Sequence, residues 1–349
     1  MQELCLPLLY EHVGLSCSLD GFNYEIAEMA TARLAAWCRA VDNRVGLADL
    51  VKTAWVYEPG SFSRRVRSFR NLQHLTTSTR DLFSSPVNVQ SPRPRLLTLE
   101  CFDDLDGSEG WPVDLPSKSF DLSGLRSLAM ETVNAAPWQW LRSLSPGLES
   151  LKLEMWGLQP EPELAAFIER QGPSLRYLRL VLDIAEATGL DVLPSLAVSC
   201  PNLLSVGMII PINYEHEVHE GLIINSRGRL GQFFSKLLRD GHPTMNALEL
   251  GSGGLDWDRS TTPHKASVSE PMSHALQIVA SLAAKDDVAP PKFLQLRRLV
   301  LPYISLEKHA GADNEIETLI GLGLEVIDKG GSAAKGLAAR REKDVRLAA

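Results

Sequence analysis

The sequence predicts an α/β fold in which a curved parallel sheet carries helices on its convex side, preceded by an N-terminal helical cap over residues 1–45. The first observation is a recurring six-residue pattern in which positions 1 and 4 are apolar, usually leucine, position 6 is apolar in seven of eight segments, and the other positions vary. The second is that amphipathic helical stretches separate several of these segments. Because the pattern returns after 23 to 51 residues, it indicates stacked structural repeats, that is, a solenoid. The eight segments that carry it begin at Leu72, Leu96, Leu125, Leu148, Leu175, Leu203, Met245 and Leu296.

The spacing within each segment predicts a strand with one buried face. Leu151 and Leu153 are two residues apart, so on a strand both face one side of the sheet and Lys152 faces the other. The segment at 175–180 repeats this arrangement around Arg179. A single half-buried strand is unstable, so we expect the segments to stack as a parallel ladder that buries the leucines against the return segments.

Helical periodicity accounts for the return segments. Residues 161–171 place Leu164, Phe167 and Ile168 on one helix face, and residues 47–57 read as a helical turn leading into a strand. The remaining helical stretches are 26–41, 137–144, 230–238 and 272–283.

These elements divide the chain into four predicted parts. Two long intervals within the repeats, 209–242 and 251–292, are expected to be insertions, which in solenoids tend to collect on one face. The parts are residues 1–20, a helical cap with a lead-in strand at 21–70, irregular repeats at 71–327, and a flexible tail at 328–349.

Composition limits the expected partners and compartment. The 349 residues carry a net charge of −8, and the basic clusters are short, so we expect no nucleic-acid partner. No apolar stretch of 18 residues is present, so no membrane partner is expected either. The five cysteines form no CxxC pair, which favours buried, reduced thiols in a cytoplasmic or nuclear protein.

Motifs that would indicate chemistry are incomplete. His216 and His219 are three residues apart among glutamates, but they do not form the HExxH pattern, and no second ligand pair accompanies them. Ser332 and Lys335 match a serine acyl-transfer spacing without the further motifs that such a site needs. We therefore expect no enzyme activity, no catalytic residue, no cofactor and no metal. An enzyme built on the insertions stays an alternative, and it requires both histidines and an acid to converge.

The N-terminal segment resembles a known family. Residues 4–13, with the run Pro7-Leu8-Leu9-Tyr10 followed by His12-Val13, resemble the closing segment of the F-box in fungal F-box and leucine-rich-repeat proteins. Residues 39–56 resemble the lead-in of that family, and residues 72–327 resemble its repeat domain. The earlier part of the F-box is missing, so we expect either a truncated chain or a member that does not dock on an adaptor.

The resemblance implies a protein-binding role. In that family the F-box docks on a Skp-type adaptor of a cullin ubiquitin ligase, and the repeats present a substrate protein. The asparagine that follows each strand in the family is replaced here by Trp156, Asp183 and Gly253, so the turns are expected to satisfy their backbone groups in another way. The alternative is a leucine-rich-repeat scaffold with no ubiquitin link.

Outward positions of the strands form the candidate partner-binding surface. Tyr177 and Arg179 are the favoured anchors, because tyrosine and arginine are frequent at the energetic centres of interfaces. The alternative is that these are ordinary solvated strand residues. The full set is Ala129, Glu131, Lys152, Glu154, Tyr177, Arg179, Glu249 and Arg298.

Overall fold

The fold is described from a computed structural model, and the chain divides into two compact units, Met1–Lys152 and Leu153–Ala349. The residues described are 12–15, 36, 39–40, 43–44, 46–56, 66, 69–78, 93–102, 120–132, 138–155, 162–182, 195–210, 241–252, 276, 279, 295–301, 313–328, 331–332, 335 and 337–338.

The first unit contains a parallel sheet whose strand order follows the chain. Strands β1 to β5 each pair in parallel with the next one along the sequence. Its elements are β1 (His12–Leu15), a 3-10 turn (Ala48–Leu50), β2 (Thr53–Val56), β3 (His74–Ser78), β4 (Thr98–Phe102), β5 (Ser127–Thr132) and α1 (Trp138–Ser143). Strand β6 (Ser150–Met155) crosses the boundary between the units.

The second unit repeats this organisation. Strands β7 to β11 are parallel and in chain order, and β12 pairs antiparallel with β11. Its elements are α2 (Pro162–Gln171), β7 (Tyr177–Leu182), α3 (Leu196–Ser199), β8 (Ser205–Ile210), β9 (Ala247–Ser252), β10 (Arg298–Leu301), α4 (Asp313–Gly321), β11 (Glu325–Asp328) and β12 (Gly331–Ser332). The predicted α/β class and the parallel pairing are confirmed.

The apolar positions of the six-residue pattern lie in register. In the second unit, position 4 brings together Leu178, Val206, Leu248 and Leu299 on four neighbouring strands, and each is at most 1% exposed. Burying an aliphatic side chain of this size contributes about 1.5–3 kcal/mol. A shift by one residue would move the whole set to the opposite face, so this burial fixes the register.

A shared carbonyl joins most of the segments to the next one. The carbonyl oxygen of Gln73, at position 2, accepts bonds from the amides of Leu97 and Thr98, at positions 2 and 3 of the following segment. The carbonyl of Arg176 accepts in the same way from Leu204 and Ser205, at 2.8 and 3.0 Å. The strands are therefore paired from their first residue, and the amides at positions 2 and 3 of these segments are satisfied.

Side chains add a second link between successive turns. The amide groups of Asn71 and Asn202, each directly before position 1, donate to Asp49 O and Pro173 O at 2.7 and 2.9 Å. Thr244, at the same place before β9, donates to a carbonyl of the preceding turn, with Pro201 O and Leu203 O both at 3.0 Å. These bonds satisfy backbone groups on the N-terminal side of the strands, whereas Trp156, Asp183 and Gly253 lie outside the described residues.

Two helices show why the return segments form where they do. Helix α2 buries Leu164, Phe167 and Ile168, as its periodicity predicts. Helix α4 ends at a left-handed glycine, Gly323 with φ +86°, and the amide of Leu324 bonds back to Leu319 O. This is a Schellman end, which glycine forms without a Cβ clash.

The predicted helical cap over residues 1–45 is wrong at its start. Residues His12–Leu15 form β1 and pair in parallel with β2, although residues 36 and 39–40 are helical. The lead-in strand is confirmed as β2. Gly331–Ser332, within the predicted tail, is a strand, and Leu337 is buried. The predicted helix at 230–238 lies outside the described residues, as does that at 272–283 apart from the helical Leu276 and Val279.

Two cysteines are buried as expected. Cys101 lies at position 6 of the β4 segment and Cys200 precedes the turn into β8, and both are free. Burial raises the pKa of the Cys101 thiol well above its usual range and that of Cys200 to about 12. Neither is poised to be a thiolate nucleophile at neutral pH. Cys5, Cys17 and Cys38 lie outside the described residues.

No helix in the described ranges has the length and apolar character needed to cross a membrane.

His242 is a buried structural residue in the turn before β9. Its side chain is 2% exposed, its Nε2–H donates to Cys200 O at 2.9 Å, and its Nδ1 lies 3.4 Å from the amide of Thr244. A proton on Nδ1 would remove the acceptor for that amide. Burial lowers the pKa of His242, although its bonds to the backbone of Cys200 and Leu196 oppose this shift.

We predict that His242 makes the fold sensitive to acid. As the pH falls below 6.5, the unfolded chain takes up a proton that the folded state resists, so the free energy of unfolding decreases until the folded pKa is passed. Urea unfolding of the unmodified protein and His242→Gln at about pH 7.5 and about pH 5.5 measures this. The unmodified protein should lose more stability on acidification than the variant, and equal losses would contradict the assignment.

Candidate functional site

The predicted binding residues of the second unit lie on the sheet face opposite the buried leucines. In-register pairing aligns Arg179, Gly207, Glu249 and Val300, which occupy position 5 on strands β7 to β10. Since side chains alternate along a strand, this row points away from the core. We call the side formed by positions 3 and 5 of the second unit the outward face.

An ion pair spans β8 on this face. Arg179 Nη2 lies 2.9 Å from Glu249 Oε1, although two strand spacings, about 10 Å, separate the backbones. Gly207 lies between them, and a Cβ there would be 2.9 Å from both Arg179 Cγ and Glu249 Oε2. The absence of a side chain at Gly207 therefore lets Arg179 reach across the intervening strand.

Arg179 is enclosed by carboxylates. A second glutamate, Glu154, lies 3.9 Å from Arg179 Nη1, and the arginine side chain is only 31% exposed. The Arg179 Nε is buried and has no hydrogen-bond partner among the described residues. The structure thus brings together three of the predicted binding residues, and the charge of the guanidinium is already compensated by Glu154 and Glu249. Its role as an anchor stays a prediction.

Tyr177 and Arg298 lie in the neighbouring row of the outward face. Position 3 aligns Tyr177, Ser205, Ala247, Arg298 and Glu325 on five successive strands. Tyr177 is 50% exposed, and Arg298 Nε donates to Glu325 Oε2 at 2.8 Å. Both members of that pair are more than half exposed, so the pair contributes little to stability.

The other predicted residues belong to the first unit. Lys152 is half-buried in β6, Ala129 is half-buried in β5, and Glu131 lies at position 7, next to the β5 segment.

Sequence reasoning missed Trp55 in the first unit. This tryptophan is 37% exposed at position 5 of β2, next to Thr76 in register. The segment 51–56 fits the six-residue pattern with valine and alanine at positions 1 and 4, so a search for leucine overlooked it. On the neighbouring strand, Thr76 Oγ1 donates a hydrogen bond to Glu100 Oε2 at 3.3 Å.

No catalytic constellation or metal site is assembled from the described residues. No group of three or more His, Cys, Asp or Glu side chains there is placed to hold a metal ion. His216 and His219 lie outside these residues. Ser332 and Lys335 are both described and both exposed. The outward face offers hydrogen bonds, charges and an aromatic ring, which suit binding.

Comparison with known proteins gives no match, either among protein-family models or among curated proteins.

We predict that Gly207 governs the coupling between Arg179 and Glu249. A double-mutant cycle of Arg179→Ala and Glu249→Ala should give a coupling of about 0.2–1 kcal/mol, the range of partly exposed pairs. In a Gly207→Ala background this coupling should fall, because the added methyl group displaces the two side chains.

The matched control is a cycle of Arg298→Ala and Glu325→Ala, whose residues face each other on adjacent strands. Its coupling should be the same in both backgrounds. Urea unfolding supplies the free energies. A coupling between Arg179 and Glu249 that survives Gly207→Ala unchanged would show that the glycine is not needed.

Proposed function

We propose that the chain is a leucine-rich-repeat solenoid and that its outward strand positions bind a protein partner. The single observation that carries the proposal is the regular ladder of buried leucines, which leaves variable side chains, most of them half-buried and a few exposed, on the opposite face of the sheet. Side chains held on a hydrogen-bonded sheet are positioned more firmly than those on loops. Tyr177, Glu249 and Arg298 supply the aromatic and charged groups that protein interfaces use.

The role we infer is substrate recognition in an F-box-type ubiquitin ligase of the cytoplasm or nucleus, without chemistry by this chain. The support is the resemblance of residues 4–13 to the end of an F-box. His12, at the close of that segment, begins β1, which pairs with β2. An adaptor-binding F-box placed before it would therefore lead directly into the sheet that carries the binding face.

A leucine-rich-repeat scaffold without a ubiquitin link is the second candidate. The same ladder supports it equally, because the ladder depends on neither an adaptor nor a ubiquitin ligase. The two candidates differ in one property, which is stable binding of a Skp-type adaptor.

The test is a pull-down with a purified Skp-type adaptor. We expect stable binding by this chain or by a version extended upstream of Met1 through the genomic reading frame. Binding by the extended version alone would locate the docking helices upstream. Binding by neither would contradict the ligase role and leave the scaffold.

A further inference from the structure

Positive charge gathers where the strands of the second unit begin. Arg176 and Arg297 occupy position 2 in the segments of β7 and β10, and both are exposed. Within the described part of the chain, neither guanidinium forms an ion pair or a side-chain hydrogen bond. Arg298 follows directly and pairs with the exposed Glu325. Counted over the residues that the structure describes, three guanidinium groups against one carboxylate leave two positive charges in excess. We call Arg176, Arg297 and Arg298 the arginine edge.

This local charge is opposite to that of the chain, whose net charge is −8. It also differs from the surroundings of Arg179, which Glu154 and Glu249 enclose. An exposed basic region beside an acidic one attracts a partner of complementary charge and fixes its orientation. The occupant favoured by the arginine edge is therefore an acidic one.

The spacing of the arginine edge indicates the shape of that occupant. β7 and β10 are three strand spacings apart, about 14 Å. Between them, position 2 carries Leu204 and Asn246, and position 3 carries the small residues Ser205 and Ala247, so the sheet surface is low at position 3. Tyr177 borders this low region on the β7 side and is half exposed. An extended peptide rises about 3.3 Å per residue, so carboxylates four residues apart lie on one side and span about 13 Å.

We propose that the arginine edge binds an acidic, extended segment of the partner protein. Carboxylates of the segment pair with Arg176 at one end and with Arg297 and Arg298 at the other. Its middle lies over Ser205 and Ala247 against the Tyr177 ring. This proposal rests on the protein-binding function proposed above and specifies the chemistry of the partner.

A single-stranded nucleic acid fits the same charges less well. Its binding relies on a longer track of positive charge with several stacking rings, in a protein whose overall field attracts phosphate. The described outward face offers one exposed ring, Tyr177, and the chain as a whole is acidic.

The experiment measures binding of fluorescein-labelled octaglutamate to the full chain by fluorescence anisotropy. Arg176→Gln/Arg297→Gln removes the two unpaired charges. The matched control, Arg39→Gln/Arg126→Gln, removes two exposed arginine charges from the first unit, where Arg126 also occupies position 2. Equal melting temperatures would show that both variants are folded. Octalysine and a single-stranded oligonucleotide of eight thymidines serve as competing ligand classes.

We expect octaglutamate to bind, and we expect its affinity to fall as the salt concentration is raised to about 0.15 M. Binding should be about fivefold weaker or more in Arg176→Gln/Arg297→Gln, the sum of two exposed charge pairs, and unchanged in the control. No binding of octaglutamate, equal weakening in both variants, or tighter binding of the oligonucleotide would each overturn the proposal. Adaptor binding involves residues upstream of β1, so failure here is distinct from failure of the ligase role.

Discussion

The register of the buried ladder is the constraint on which the rest of the structure depends. In each unit, apolar residues at positions 1, 4 and 6 must face the core together, because a slip of one residue would expose all of them. The shared carbonyl at position 2 holds the same register through the backbone, as at Arg176, where two amides of the next segment converge. Apolar burial and main-chain bonding therefore select one alignment. Positions 3 and 5 carry no such requirement and are free to serve recognition.

Most of the strands follow from the sequence alone, since leucines spaced by three and then two residues are typical of a half-buried strand. Helix α2 follows equally well from the periodicity of Leu164, Phe167 and Ile168. Strand β1 does not, because its four residues are too short to show a period and become a strand only by pairing with β2. Strand β2 is predicted from the sequence, but its fit to the six-residue pattern is not apparent, because position 4 is Ala54 and not leucine.

The candidate site was harder to predict than the fold. The sequence placed Arg179 and Glu249 on outward positions but could not show that they touch, because they are 70 residues apart. Their contact depends on the pairing order of three strands and on the missing side chain of Gly207. A glycine at position 5 is an ordinary residue in the sequence, and its effect appears only once both neighbours are known.

Arginine has two different roles on the outward face. Arg179 is enclosed by two glutamates, so its charge is neutralised by ion pairs within the surface. Arg176 and Arg297 are exposed at the beginning of their strands and form no ion pair with a described residue. The arginines differ because of their positions in the segments. Arg179, at position 5, lies among carboxylates, whereas Arg176 and Arg297, at position 2, lie at the turn and face solvent. The acidic partner that we propose would contact the turns and position 3, beside the position-5 row.

We infer that the inward positions stabilise the fold, while the outward positions are free for binding. The most direct test compares the free energy of unfolding of Leu248→Ala, at a fully buried position 4, with that of Tyr177→Ala, at the half-exposed position 3. We predict a loss of about 2–5 kcal/mol for Leu248→Ala and of less than about 0.5 kcal/mol for Tyr177→Ala. Similar losses at the two positions would contradict the separation of roles.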